Sequence, residues 1–415
     1  MKRTARDRRG TPRPKPVERI ELNEDHVGRR LVIAGALLIL GAGLLAYAVM
    51  GLLAPETGWQ TIQASSSAGP TCAGDFTLLY EVRSTQEAKG VTALYTSICQ
   101  KAFQLFHSGE AFEDVTNLHT INSRPNEVLE VDGALYEAFA LVTGNGRREL
   151  YLGPVYSRYG DLFFCQDDVQ LVDFDPRLSE EVRREYEEIL TYANDPHAIR
   201  LELLGENRVR LNVSEEYLAW AEGDVPFIDF AWMENAFVAD YLAAGLAAEG
   251  YTRGTLSSYD GFTRNLDSGE YAYPLYHREG DTIYSAAELQ YRGPMSLVRM
   301  RDYPLGGQDF QRYYELRTGE IRTFYLDTAD ALCKSAVDTL VCYSGEKGCA
   351  QLLLEMIPVY IADAFREEAV AALAGKGIQS IYCRDTVVLH TDPAAILTNF
   401  YGTEKFRYTA EQITP

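Results

Sequence analysis

The chain has 415 residues, 46% of them hydrophobic, enough to bury at least one large core. Its charge is uneven: of 39 basic and 60 acidic residues the first thirty positions hold ten and five, leaving 29 and 55, or −26, on the rest. A body this acidic has no basic footprint for a polyanion, so nucleic-acid partners are excluded.

Residues 1–30 carry Pro12, Pro14 and Pro16 among many charges, the composition of a disordered cytoplasmic tail. From Leu31 to Ala54 no residue is charged. At about 1.5 Å per residue, a helix of that length clears the roughly 30 Å hydrocarbon core. With Arg29 and Arg30 at its start, the segment predicts a single-pass anchor over 31–54 in the cytoplasmic membrane, N-terminus inside and body outside. A cleaved signal peptide is the alternative, because Ala46-Tyr47-Ala48 fits a small-x-small site, although the apolar run continues to Leu53. Residues 55–75, with Ser65-Ser66-Ser67 and Gly69-Pro70, read as a polar tether, and the folded body is expected over 76–415. All seven cysteines lie beyond the apolar segment, none in a CxxC pair, and there are only six histidines. That excludes a zinc-type cluster, and the odd number favours buried free thiols.

Helices and strands alternate through the body. Asp175-Pro176 predicts a helix start, with Leu178, Val182, Tyr186 and Ile189 on one face. Ile199, Leu201 and Leu203 alternate with charged residues, and Val209, Leu211 and Val213 resume the alternation after Gly205-Glu206-Asn207, which predicts a hairpin. Met233 to Leu246 has helical spacing, and Gly250 suits its left-handed stop. Helix is also expected over Leu332–Tyr343 and Leu352–Ala374, with strands at Ile378–Tyr382 and Thr386–Leu389. The mixture implies an α+β fold, a mixed or antiparallel sheet with flanking helices.

Several stretches, in order, carry a resemblance: Leu118–Phe139, Tyr151–Gly160 (YLGPVYSRYG), Asp229–Asp240, Leu256–Gly261 and Gln311–Gly348. Together they resemble the ApbE-type FAD:protein FMN transferases, a family that moves FMN from FAD to a Ser or Thr hydroxyl using Mg²⁺. By that resemblance the flavin-facing positions are Asp229, Trp232, Asn235, Asp240, Ser257, Ser258, Arg312, Arg317, Thr318 and Gly319. The metal-ligand positions are Lys334 and Asp338.

Asp229, Asp240, Ser257, Ser258 and Arg317-Thr318-Gly319 keep the family's residue types, but nearly every position that should do chemistry holds another. Ala231 and Trp232 stand at paired glycines, Asn235 at a lysine, Tyr259-Asp260 at a second glycine pair and Arg312 at a histidine. Arg312 stays protonated and cannot act as a general base. Lys334 would place an ammonium where a hard cation needs oxygen ligands, and on a helix it would pair with Asp338 four residues on. The expectation is a catalytically degenerate body with no catalytic residue and no Mg²⁺ site, acting as a binding or partner module near flavin-carrying redox proteins. Two alternatives remain: an active transferase with a rearranged metal site, and a binder of another small ligand through an aromatic pocket of Trp232, Tyr259 and Tyr313.

Overall fold

The computed structural model describes residues 57–67, 69–221, 226–309 and 311–413. The expected tail and anchor lie outside the described residues, and among the described residues no helix is long and apolar enough to cross a membrane.

Nine strands build the main sheet: Gly58–Ile62, Phe76–Val82, Gly254–Ser258, Phe262–Asn265, Met295–Arg301, Thr339–Ser344, Gln379–Arg384, Val387–His390 and Thr409–Gln412. They lie side by side in the order the chain visits them, antiparallel except for the last pair. The first strand falls within the stretch that reads as a tether. It pairs from Gly58 opposite Val82 to Ile62 opposite Leu78, so the folded body includes residues expected in the tether. Only Ile62 of this edge strand is fully buried, which leaves almost no alternation to read.

Three helices, Thr85–Phe106, Glu234–Ala248 and Cys349–Tyr360, pack against one another in the pairs first-second and second-third. The Glu234 helix is apolar nearly all round, as a helix enclosed by neighbours must be. Gly250 follows it at φ +79°, the left-handed stop its position predicts. The hairpin Ile199–Gly205 with Arg208–Val213 forms as expected. Its two turn residues, Glu206 and Asn207, sit at φ 51° and 57°, the primed geometry that matches strand twist.

Three expectations are corrected. The helix near Asp175 starts at Glu180, capped by Ser179, and Leu178 is exposed. Asp175 is buried instead, accepting a 2.7 Å hydrogen bond from Arg322 Nε. Leu332–Tyr343 is not a helix, because Thr339–Ser344 is a strand buried at every position. A strand covered on both faces reads as a continuous apolar run, and such a run does not distinguish strand from buried helix. Finally, Leu352–Ala374 contains two helices, Cys349–Tyr360 and Glu367–Ala374. Pro358 lacks an amide for the helical ladder, and the first helix ends two residues later. All seven cysteines are free thiols, five of them buried. Burial pushes the Cys342 thiol up to about 12, and raises those of Cys349 and Cys383 as well.

Candidate functional site

A cavity of about 330 Å³ opens where one end of the main sheet meets the start of the Glu234 helix. The framework stretches hold its walls. Asn122 clamps the loop before Asp229 with two hydrogen bonds, donating to Ile228 O and accepting from Ile228 N, each at 2.9 Å. A Cβ on Gly153 would meet Pro226 O at 1.8 Å, so this close approach of helix to loop requires glycine. Gly261 turns the chain at φ +112°, and a Cβ there would strike Arg299 O at 2.3 Å.

Four of the ten expected flavin-facing positions line the cavity: Asp229, Trp232, Asn235 and Arg312. Asp229 Oδ1 accepts from Ala231 N at 2.7 Å, and its Oδ2 accepts from Ser108 Oγ at 2.8 Å. Burial holds the Asp229 carboxyl above the usual range, and these two bonds offset only part of that. Ala231 sits at φ 46°, the left-handed conformation a glycine would take without strain. The Trp232 indole is fixed by a 3.2 Å bond from Nε1 to Tyr156 OH and stands edge-to-face with Tyr325, centroids 5.0 Å apart. Asn235 Nδ2 donates to Asp260 Oδ2 at 2.9 Å. Arg312 Nη2 lies 3.6 Å from both Asp75 and Asp260.

The other six positions serve the framework. Asp240 accepts from Arg264 Nη1 at 3.0 Å and from the Cys349 and Ala350 amides at 2.9 Å each. Ser258 Oγ receives the Phe262 amide across the turn, and Ser257 Oγ receives Thr263 Oγ1. Arg317, Thr318 and Gly319 form an exposed turn; the Arg317 amide donates to Asp168. Of the expected aromatic pocket, Trp232 and Tyr313 line the cavity, whereas Tyr259 is exposed elsewhere on its turn.

Lys334 and Asp338 are far from the expected helical pair. Their segment is irregular, and the Lys334 ammonium is held by Asp327 and Asp330 at 2.7 Å and Asp363 at 2.9 Å. Burial alone would lower its pKa, but these bonds outweigh that and raise it. Asp338 accepts the Arg278 amide at 2.9 Å. Beside it Asp302, 3.3 Å from Arg278, has its carboxyl pushed up to about 6, chiefly by burial, with Arg278 opposing.

Sequence reasoning leaves several lining residues out of the site. Glu234 lies just beyond Asp229, and its side chain has no hydrogen bond or ion pair with a described residue. Burial and the nearby Asp229, Asp75 and Asp260 push its carboxyl well above the normal range. Asp75, Tyr156, Phe324 and Tyr325 arrive from distant parts of the chain and meet only in the folded cavity. The signal for Glu234 was present: an acidic residue in a helix's first turn, inside one of the segments that carry the resemblance.

The chain matches solved structures at 13% identity. The ApbE protein of Thermotoga maritima superposes with a TM-score of 0.52, over 78% of this chain and 93% of that one. The fold is ApbE-like. The flavin transferase ApbE of Vibrio cholerae matches with the same TM-score, over 79% of this chain and 93% of its own. No protein-family model and no curated protein matches the sequence.

The FAD and Mg²⁺ implied by this fold do not fit the residues in place. Asp75, Asp229, Glu234 and Asp260 face the cavity against Arg299 and Arg312, a formal excess of two negative charges where a pyrophosphate would lie. Trp232 takes up space beside the helix start, and among the described residues no group of three or more His, Cys, Asp or Glu side chains could hold the metal.

Proposed function

We propose that this chain is a membrane-anchored, extracytoplasmic ApbE-like module that binds a ligand or partner near flavin-linked redox proteins and does not itself transfer FMN. The anchor rests on the uncharged run Leu31–Ala54 and the arginines before it. The redox neighbourhood rests on the analogy of fold alone. One observation carries the loss of transfer: the cavity wall is acidic and aromatic, with no lysine among its lining side chains. Phosphoryl-type transfer depends on positioning and on neutralising phosphate charge, and this wall adds like charge instead.

The test incubates the purified full chain with FAD, Mg²⁺ and a Ser/Thr acceptor protein. The expected result is no fluorescent flavin on the acceptor and no shift of thermal unfolding with millimolar Mg²⁺. A flavin-labelled acceptor sinks the reading.

A further inference from the structure

We propose that the cavity is a binding site for a small organic cation, an alkylated ammonium held between the Trp232–Tyr325 corner and the Glu234 and Asp229 carboxylates. This deepens the reading of the chain as a non-transferring module and rests on it.

The unpartnered charge in the cavity is negative. Of its two guanidiniums, Arg312 is shared between Asp75 and Asp260. Arg299 lies over the rings of Tyr273 and Tyr276, 5.3 and 5.2 Å from their centroids, and directs Nη1 to Pro274 O. Asp229 receives only neutral donors, Ser108 Oγ and the Ala231 amide, and Glu234 receives none. Two carboxyls therefore face the same space with no cation hydrogen-bonded to either, His107 acting on Asp229 only from a distance.

The aromatic walls supply the rest of a cage. The planes of Trp232 and Tyr325 meet at 84°, and both rings are fixed from behind: Trp232 by its bond to Tyr156, Tyr325 by its edge-to-face contact with Tyr360. Tyr313 and Phe324 line the cavity beside them. Cations lie over such faces, and quaternary ammonium groups, which cannot donate hydrogen bonds, are held chiefly in this way. A cavity of about 330 Å³ is at the small end of ligand sites, which suits a compact cation.

Binding is coupled to a proton. The groups facing Glu234 are Asp229, Asp75 and Asp260, with the Cys72 thiol nearby and Arg312 reaching the site through the latter two aspartates. In the free protein this surrounding disfavours the charged form of the Glu234 carboxyl. An ammonium beside it favours the carboxylate, so the cation enters as the proton leaves, and affinity rises with pH.

The experiment titrates the purified full chain calorimetrically with choline and with its uncharged carbon isostere, in buffers of different ionisation enthalpy. Choline is expected to saturate, at least about tenfold tighter than the isostere, with net proton release. Glu234→Gln should cost about tenfold in affinity near pH 8 and abolish the release, with thermal unfolding confirming that the variant folds. Equal binding of the isostere, competition by Mg²⁺, or no saturation at millimolar choline overturns the proposal. No choline binding with an unlabelled acceptor sinks the cation alone; a flavin-labelled acceptor sinks the underlying reading too.

Discussion

Two packed helices in this fold begin in opposite ways. The Cys349 helix is closed by the protein itself: Asp240, from the middle of the neighbouring helix, takes its Cys349 and Ala350 amides and is neutralised by Arg264. Gly348 makes this possible, since a Cβ there would lie 2.3 Å from Asp240 Oδ2. The Glu234 helix is left open. Its first turn carries an acid with no partner, and a strained Ala231 leads into it. The contrast separates two uses of the same chemistry. Carboxylate, amide and guanidinium together make a joint, whereas a carboxylate alone in a cavity wall makes a vacancy for something positive.

Breaking the closed end should have the largest effect. Asp240→Ala leaves Arg264 and two amides without their acceptor and should cost about 3 kcal/mol, read from denaturant unfolding. A loss below about 1 kcal/mol would make Asp240 incidental to the joint.

Asp302 tests an intermediate case, a carboxylate that has an arginine yet is still raised to about 6. Between its unfolded value near 3.9 and that folded value, the native state holds the proton longer. Stability is therefore fully present below the window and lost as pH rises through it. Asp302→Asn should remove that loss, gaining about 1–2 kcal/mol at neutral pH and nothing near pH 4. Parallel melting curves for both proteins across that window would refute the assignment.

The smallest effect belongs to the open end. Ala231→Gly relieves a left-handed alanine and should stabilise by about 1 kcal/mol, read as a raised midpoint of thermal unfolding. An unchanged or lowered midpoint would mean that the φ of 46° carries no strain.

What could be read from the sequence follows from how each element is buried. The hairpin at Ile199–Val213 was legible because one face is buried and its two-residue turn tolerates left-handed residues. The Thr339–Ser344 strand was not, because both faces are covered and no period survives. That error propagated to the site: it placed Lys334 and Asp338 one helical turn apart, whereas Lys334 belongs to the Asp327, Asp330 and Asp363 cluster. At the cavity, Asp229, Trp232, Asn235 and Arg312 were found through the ordered segments. Asp75 and Tyr325 were not, since they lie about 250 residues apart in sequence and meet only in the folded chain. Arg317-Thr318-Gly319 kept a familiar turn, but a turn's geometry survives without any ligand to face.

The thiols have one more consequence. Five of the seven are sealed in the interior, and burial raises the pKa of Cys342, Cys349 and Cys383, which favours the unreactive protonated thiol in those three. An alkylating reagent therefore meets the sealed sulfurs only when the chain opens around them, and the rate at which mass is added becomes a clock for that opening.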